Sequence, residues 1–330
     1  MNRRKFIAAA LAAMASAGLW ASCQIETSQT VTQSGSGLIP YQKMGLNVFP
    51  RNKTAGTTAE QMADIRSLGV RYIRVNFWFD TFFMAGPGAA PDFSRFDEVV
   101  EAANGAGVEI LAILGPIPGW LTGAGDWQDV YINRFVVPVV GRYKASVKHW
   151  EVWNEPDEDF TILDGTPETY FELLRAASSA IKSVDPSAIV VSAATVNIVS
   201  KGAAKFEWMD RLVALGLPGV ADVLNIHYYS DLDIELGIGG PSLVATAGMP
   251  VWVTETGRAG QDLQEKYFRQ NVPYIDRALN PERIYWYCYV LGEGPHVPRT
   301  TQSWRDRYSS PGLPDPLLQA GRSRISVLLP

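Results

Sequence analysis

Two glutamates, each at the end of a strand-like segment, are the residues best suited to do chemistry together. Residues 148–156 read Lys-His-Trp-Glu-Val-Trp-Asn-Glu-Pro, a strand pattern that delivers Asn154 and Glu155 just before a proline that ends the strand. Further along, residues 251–257 read Val-Trp-Val-Thr-Glu-Thr-Gly and carry Glu255 in the same way. If both strands lie in one parallel barrel, the two carboxylates meet at its mouth, as glycosidic bond cleavage requires.

The chemistry of acetal cleavage explains why a pair of acids matters. The departing oxygen needs a proton and the anomeric carbon needs electron density, and two carboxyl groups about 5 Å apart can provide both. A single strand-end glutamate more often caps a helix or pairs with a surface arginine. Because Glu155 and Glu255 both end tryptophan-containing strands, we interpret them as a catalytic pair.

Eight strand-like segments alternate with amphipathic helical segments from Met44 onward. The strands begin near residues 45, 71, 108, 149, 189, 223, 251 and 284. Strands separated by a helix form right-handed parallel crossovers, and eight such units close into a (β/α)8 TIM barrel of the α/β class, predicted here as a single domain. An open doubly wound sheet is the competitor, but no glycine-rich phosphate turn follows the first strand.

The helical segments carry signals for their ends. The predicted segments are 57–68, 93–106, 130–143, 167–184, 206–215, 242–247 and 263–279. Thr57 and Glu60 form a capping box for the first helix, and Gly107 is the expected cap after the second. Pro138 is expected to kink the third helix, and Thr166 to cap the fourth.

The barrel is one part of a longer chain. The amino terminus is basic and then alanine-rich, a pattern typical of an export signal of the Sec or the twin-arginine type. The predicted parts are a signal peptide (1–22), a flexible tether rich in Ser, Thr and Gly (23–40), the catalytic barrel (41–298) and an irregular, proline-rich C-terminal tail without a complete eighth helix (299–330).

Two alternatives exist for cleavage of the signal peptide. Residues 19–23, Leu-Trp-Ala-Ser-Cys, resemble a bacterial lipobox and would make Cys23 the lipidated first residue, although Trp20 stands where a smaller aliphatic residue is usual. Residues 15–17, Ala-Ser-Ala, offer an ordinary cleavage site instead. The first alternative predicts a cell-envelope lipoprotein that contacts the membrane only through Cys23, and the second predicts a soluble secreted protein.

Charge and cysteine content exclude several classes of function. A formal net charge of −5 and a pI near 5.4, without a basic stripe, exclude nucleic acid as an expected partner. Cys23 and Cys288 are the two cysteines, so no disulfide framework is expected. The three histidines show no metal-ligand spacing, and there is no phosphate-binding loop or serine nucleophile elbow. We predict no metal or other cofactor, and we expect a monomer.

Two motifs give the sequence a specific family resemblance. Residues 153–156 (Trp-Asn-Glu-Pro) on the fourth strand and 254–257 (Thr-Glu-Thr-Gly) on the seventh resemble clan A of the glycoside hydrolases, the retaining (β/α)8 enzymes. The run His-Trp-Glu-Val-Trp-Asn-Glu-Pro at residues 149–156 is most similar to the family that groups β-xylosidases, α-L-iduronidases and some exopolysaccharide endoglycosidases. The resemblance spans residues 44–292.

The resemblance implies a role for each matched residue. Glu155 would be the general acid/base and Glu255 the nucleophile that forms a covalent intermediate. Asn154 would bind the sugar 2-hydroxyl, although it could instead cap the turn. Arg74 on the second strand would hold Glu255 charged, although it could instead form an inter-strand ion pair.

Other matched residues would complete the substrate site. His227 and Tyr229 match the clan's His-x-Tyr, whose histidine lines the sugar site and whose tyrosine donates to the nucleophile; a lone histidine can also be a core residue. Trp286 on the eighth strand matches the aromatic platform under the sugar. Tryptophans after the second and third strands could form further subsites or simply pack in loops: Trp78, Trp120 and Trp127.

The sequence therefore predicts a retaining glycoside hydrolase that cleaves a poly- or oligosaccharide by double displacement. A catalytically silent carbohydrate-binding barrel is one alternative, and a transglycosylase that uses the same covalent intermediate is another. A silent barrel is expected to have lost one carboxylate, whereas both are present.

Overall fold

The described part of the chain is a barrel of parallel strands surrounded by helices. A computed structural model describes residues 40–50, 56–199, 204–230, 234–258, 261–290 and 326–327. The predicted signal peptide, Cys23, the tether apart from Pro40, and the tail apart from two residues lie outside these ranges. None of the helices in the described ranges is both long and apolar enough to cross a lipid bilayer.

The eight predicted strands are all present, in the predicted order. They are β1 (Met44–Val48), β2 (Tyr72–Phe77), β3 (Glu109–Leu114), β4 (His149–Val152), β5 (Ile189–Val191), β6 (Leu224–Tyr228), β7 (Val251–Thr256) and β8 (Arg283–Val290). They pair in parallel in the order β5-β4-β3-β2-β1-β8-β7-β6. A single parallel bridge links Val191 of β5 to Val223, the residue before β6, so the barrel is nearly closed and the TIM-barrel prediction is confirmed. A short β9 (Ser326–Val327) pairs antiparallel with β8.

The helices lie in the crossovers between strands, and their predicted end signals are present. They are α1 (Thr58–Ser67), α2 (Ser94–Ala106), α3 (Trp127–Tyr131), α4 (Val137–Tyr143), α5 (Pro167–Val184), α6 (Ala204–Ala214), α7 (Ile234–Ala247) and α8 (Gln261–Leu279). Thr57 and Glu60 form the capping box of α1. Gly107 adopts the left-handed conformation after α2, and Thr166 caps α5.

Pro138 lies in a continuous helical run, Trp127 to Tyr143, whose geometry changes just before the proline. A π-helical turn, Ile132–Val136, separates α3 from α4 and places Pro138 in the first turn of α4. The Val137 N–H donates to the Ile132 carbonyl five residues back, and Pro138, which has no N–H to donate, follows directly after this wider turn. The wider turn therefore accommodates the proline.

Helix α7 is longer than the predicted segment 242–247. It begins at Ile234 and includes a glycine-rich run that is typical of a loop when read from sequence alone. A Cβ atom at Gly239 would come within 2.8 Å of the Phe206 ring on α6. The glycine is required by close packing of two helices and does not mark a turn.

The interior of the barrel is distinct from the core beneath the helices. The larger apolar core lies between strands and helices, whereas a second cluster forms the floor of the barrel: Leu111, Val191, Val223, Trp252 and Tyr285. His149 on β4 contacts Trp252 on β7, with ring centroids 5.2 Å apart. Because β4 and β7 are not neighbours in the sheet, this contact crosses the barrel interior.

His149 makes the stability of the barrel depend on pH. Burial and the neighbouring guanidinium of Arg283 lower the pKa of His149 from 6.5 to about 4. Between these two values the unfolded chain binds a proton that the folded chain does not bind. The stability associated with neutral His149 is therefore complete above about pH 6.5 and is lost as the pH falls toward 4.

When the pH is lowered from about 7 to about 4.5, we expect the melting temperature of the variant His149→Gln to fall by less than that of the wild type, because glutamine does not titrate. Thermal unfolding followed by circular dichroism at both pH values measures the difference. Equal losses in the two proteins would contradict the assignment of this pH dependence to His149.

Candidate active site

The two predicted acids face each other at the carboxyl-end rim of the barrel. Glu155 follows β4 and Glu255 lies near the end of β7. One carboxylate oxygen of each, together with a ring nitrogen of His227, lie within 4.8 Å of one another. The Glu155 side chain is 27% exposed and that of Glu255 is 8% exposed. Glu155 is therefore open to the mouth of the barrel, and Glu255 lies deeper.

Glu155 is held by a strained turn. Trp153 has a φ of 70° and Glu155 a φ of 46°, both in the left-handed region. This region costs a non-glycine residue roughly 1 kcal/mol or more. The Trp153 N–H donates to the Leu114 carbonyl at 3.0 Å, which ties the turn to β3. The unusual backbone turns Glu155 out of the strand direction and toward the mouth.

The segment after Glu155 is anchored by a buried ion pair. Residues Pro156–Glu158 form a short 3-10 helix. Within it, the Asp157 carboxylate accepts from the Val196 N–H at 3.1 Å and from the ammonium group of Lys205 on α6. Asp157 is 3% exposed, so the pair is shielded from solvent. These contacts tie the turn that carries Glu155 to α6 and to the segment after β5, and they restrict where Glu155 can move.

Arg74 is the centre of the site's hydrogen bonds. Its guanidinium donates to Glu255, to the Asn154 side-chain oxygen at 2.6 Å and to the Asn47 side-chain oxygen at 2.9 Å. It also forms a two-pronged contact with Glu151, with both distances 2.7 Å. Burial alone would lower the pKa of Arg74, but the two carboxylates raise it, so the group stays charged.

Glu255 accepts hydrogen bonds on both of its oxygens. Arg74 donates to Oε1, and the Tyr229 hydroxyl donates to Oε2 at 2.5 Å. Burial alone would raise the pKa of Glu255, but His227, Arg74 and Tyr229 hold it below its usual value. Burial and Glu255 raise the pKa of Tyr229, so the phenol keeps the proton that it donates. Glu255 is therefore an oriented carboxylate.

His227 lies between the two acids. Its Nδ1 is 3.1 Å from Glu155 Oε1 and 3.8 Å from Glu255 Oε2. Its Nε2 is 3.1 Å from the Thr254 hydroxyl oxygen. Burial lowers the pKa of His227, but Glu255 and Glu155 together raise it above 6.5. The structure thus brings together six of the predicted site residues: Arg74, Asn154, Glu155, His227, Tyr229 and Glu255.

A layer of buried polar residues beneath the acids was not selected from the sequence. It consists of Asn47 on β1, Glu151 on β4, Asn225 on β6 and Thr254 on β7, each at most 2% exposed. The signal for Glu151 was present, because a charged residue in the middle of an apolar strand is rarely buried without a partner. Its partners come from distant strands, and spacing along one strand does not reveal them.

The prediction that Trp286 is the sugar platform is corrected by the structure. Trp286 is 0% exposed and packs edge-on against Tyr267 and Phe268 of α8, so it has no face free for a sugar. Its neighbour Tyr287 is half-buried, with its ring centroid 6.3 Å from that of Tyr229. Successive residues of a strand face opposite sides, which places Tyr287 on the barrel side.

The other predicted subsite tryptophans are half-buried and make packing contacts. Trp120 donates to the Met84 carbonyl at 3.1 Å, and the Trp127 ring lies 6.4 Å from that of Trp153. Trp78 lines a cavity of about 540 Å³ near the ends of β1 and β2. The residues that line this cavity do not include Glu155 or Glu255. A role in sugar binding therefore stays a prediction for all three tryptophans.

Glu155, His227 and Glu255 also form a set of donors that the sequence spacing did not suggest. Two carboxylate oxygens and an imidazole nitrogen within 4.8 Å could hold a divalent cation. His227 and the two acids are, however, engaged in hydrogen bonds with one another and with Arg74 and Tyr229. We assign no metal to this group.

One family profile matches part of the chain. Residues 124–197 match Glycosyl hydrolases family 39, and the matched segment contains Glu155 and the motif at residues 153–156. This finding confirms the family resemblance predicted from the sequence. Among curated proteins, no sequence matches the chain.

Solved structures with the same fold include several glycoside hydrolases. A family 39 glycoside hydrolase from Bacteroides cellulosilyticus WH2 is 18% identical, with a TM-score of 0.59 over 77% of this chain and 56% of that one. A monomeric beta-xylosidase from Caulobacter crescentus CB15 is 20% identical, with a TM-score of 0.58 over 78% and 62%. The cellulose synthase subunit Z from Clostridioides difficile is 15% identical, with a TM-score of 0.59 over 81% and 98%.

These likenesses establish the shared barrel fold. The chain spans less than two thirds of the length of the first two structures, at 56% and 62%. Activity and substrate therefore have to be argued from the geometry of the site itself.

Proposed function

We propose that this chain, which carries a glycosyl hydrolases family 39 segment, is a retaining glycoside hydrolase. The observation that carries the proposal is the separation of the two acids, whose nearest oxygens lie within 4.8 Å. Retaining enzymes hold their carboxyl groups about 5 Å apart, whereas inverting enzymes need roughly 6.5–9.5 Å to admit a water molecule. The short separation of Glu155 and Glu255 supports double displacement.

In the first step, a Glu255 oxygen attacks the anomeric carbon while Glu155 gives its proton to the departing oxygen. The carbon–oxygen bond to the leaving group breaks as the bond to Glu255 forms. Arg74 and Tyr229 keep Glu255 ionised and oriented before the attack. Their hydrogen bonds become weaker as the charge of Glu255 is consumed, so they position the nucleophile rather than stabilise the product.

In the second step, Glu155 removes a proton from a water molecule, and the water oxygen attacks the same carbon. The bond to Glu255 breaks and its carboxylate returns to the hydrogen bonds of Arg74 and Tyr229. The greater exposure of Glu155, 27% against 8%, supports this assignment, because the acid/base must reach both the leaving group and incoming water.

Two more side chains are proposed to contact the sugar. Arg74 donates to the Asn154 side-chain oxygen, so the Asn154 amide NH₂ group is left to bind an acceptor such as the sugar 2-hydroxyl. Tyr287 takes the platform role that was predicted for Trp286, because its half-exposed ring lies beside Tyr229.

A substrate screen tests the proposal directly. The purified protein is incubated with aryl glycosides and defined polysaccharides, beginning with xylosides because one structural neighbour is a beta-xylosidase. Early products are followed by proton NMR, and we expect the first product to have the same anomeric configuration as the substrate. An inverted product would exclude double displacement, and failure on every glycoside would favour the silent-barrel alternative.

We also propose that the protein is exported and, by the lipobox alternative, anchored at Cys23. Metabolic labelling with a fatty-acid analogue in a bacterial host measures this modification. We expect label on the wild type and none on the variant Cys23→Ser. An unlabelled, released wild-type protein would favour cleavage after residue 17.

A further inference from the structure

A chain of hydrogen bonds runs across the barrel from Glu151 to Glu155. Asn225 Nδ2 lies 2.9 Å from Glu151 Oε1, and the Thr254 hydroxyl lies 2.8 Å from Asn225 Oδ1. The same hydroxyl is 3.1 Å from His227 Nε2, and His227 Nδ1 is 3.1 Å from Glu155 Oε1. All links except the last are buried. In this chain of hydrogen bonds, the donor of each bond can be identified once the donor of the preceding bond is known.

The direction begins at Glu151, which accepts every hydrogen bond that it makes. Arg74 Nε and Nη2 and Asn225 Nδ2 are donors only, so Glu151 faces three donors. Because Asn225 Nδ2 donates to Glu151, the side-chain oxygen Oδ1 of Asn225 faces Thr254. There the oxygen lies 3.3 Å from the Thr254 backbone N–H and 2.8 Å from the hydroxyl, and both can only donate to it.

The Thr254 hydroxyl then determines the hydrogen on His227. A hydroxyl carries a single hydrogen, and that of Thr254 is given to Asn225. Toward His227 Nε2 the Thr254 oxygen can therefore only accept, so Nε2 must carry a hydrogen. The other ring nitrogen, Nδ1, faces Glu155.

We propose that this chain of hydrogen bonds keeps a hydrogen on Nε2 of His227. Nδ1 of His227 and the Glu155 carboxylate then share the single proton that the reaction transfers. The inference rests on the proposed function in the sense that the shared proton is the one given to the departing oxygen. In the first step the His227–Glu155 pair loses that proton to the leaving group. In the second step the pair regains one from water, and the Nε2 hydrogen stays in place.

The groups that face His227 are consistent with this sharing. Glu155 approaches from the end of β4 and Glu255 from β7 at 3.8 Å, whereas Glu151 lies in the polar layer below and is bound there by the buried Arg74. The two nearest acids raise the pKa of His227 despite its burial. The imidazole can be neutral or cationic, and in both states Nε2 carries a hydrogen. The chain of hydrogen bonds excludes one protonation state of His227, the neutral ring that carries its hydrogen on Nδ1.

Glu151, Asn225 and Thr254 act as positioning residues, because they reach the reacting groups only through His227. Thr254→Val removes the hydroxyl at nearly constant volume, and Thr254→Ser keeps it. Thr256→Val is a matched control on the same strand. The buried Thr256 hydroxyl forms a hydrogen bond with the Tyr267 hydroxyl, 3.0 Å away, and takes no part in the hydrogen-bond chain from Glu151 to Glu155.

Nitrogen NMR of the protein labelled with ¹⁵N-histidine tests the inference without any turnover. With three histidines in the chain, His227 can be assigned from the missing signal in the variant His227→Gln. We expect His227 of the wild type, Thr254→Ser and Thr256→Val to be cationic or protonated on Nε2 only. In Thr254→Val a neutral Nδ1–H form should appear. A neutral Nδ1–H ring in the wild type would overturn the proposal, even if Thr254→Val does not fold.

The pH dependence of kcat/KM provides a second readout. In Thr254→Val, an Nδ1–H donor would favour the ionised form of Glu155, so the high-pH limb should move to lower pH. For poor leaving groups we expect a loss of roughly tenfold or more, part of the 10²–10⁴-fold contribution of general acid catalysis. Thr254→Ser keeps the hydroxyl, so its high-pH limb should lie at the wild-type position. If the high-pH limb of the kcat/KM profile in Thr254→Val is identical to that of the wild type, the inference is overturned. A wild-type protein that is inactive on all glycosides would instead refute the proposed function.

Discussion

The variant Glu255→Gln is expected to lose glycoside turnover by on the order of 10⁴-fold or more, because an amide cannot form the covalent intermediate. The barrel should remain folded. The glutamine oxygen can still accept from Arg74, and its NH₂ group can donate to the Tyr229 oxygen, so the buried partners of Glu255 keep hydrogen bonds. A large loss of activity with a small loss of stability is thus the expected result.

Initial rates on an activated aryl glycoside and thermal unfolding, measured on the same preparations, check this result. Glu109→Gln is a suitable control, because Glu109 begins β3 at the opposite end of the barrel and its side chain is 55% exposed. The control should retain wild-type turnover. Undiminished turnover by Glu255→Gln would remove Glu255 from the role of nucleophile.

The variant Glu155→Ala is expected to lose activity in a way that depends on the leaving group. Poor leaving groups need a proton from Glu155, and their first step should slow by roughly 10²–10⁴-fold. Activated leaving groups depart unprotonated, so their first step should be spared and the glycosyl intermediate on Glu255 should accumulate. Azide needs no general base and can enter the space vacated by the side chain, so it should accelerate the second step and yield a glycosyl azide.

Pre-steady-state kinetics over a series of aryl leaving groups, with and without azide, measures this pattern. Glu158→Ala is the matched control, because Glu158 lies in the same turn, is 39% exposed and contacts Lys205 at 3.1 Å. It should show neither leaving-group dependence nor azide rescue. Equal losses on all leaving groups, with no azide product, would refute the role of Glu155 as acid/base.

Local patterns along the chain were sufficient to predict the barrel and the acid pair. The parallel strands have continuous apolar runs, and the helices between them have end signals such as the Thr57 capping box, so the alternation of elements was visible. Parallel strands in one barrel all end at the same rim. Topology alone therefore places two glutamates at strand ends on the same rim.

Features that depend on contacts between distant segments were not predictable in this way. The sequence predicts a helix only over residues 242–247 of α7, and only the approach of the Phe206 ring explains why position 239 within the longer helix is a glycine. Trp286 and Tyr287 are adjacent aromatic residues, and only the packing of α8 decides which of them faces the barrel interior. In both cases the sequence shows the residue type but not the neighbour that determines its role.

The order of the strands and helices, and the rim that carries the two acids, could be predicted from the amino-acid sequence, because both follow from short-range periodicity and from the handedness of parallel crossovers. Three features became visible only in the folded barrel: the approach of those acids to within 4.8 Å, the left-handed turn at Glu155, and the hydrogen-bond chain from Glu151 to His227. Hydrogen bonds and charge interactions act over a few ångströms, here between strands that are far apart in the sequence, so the spacing of residues along the chain does not show them.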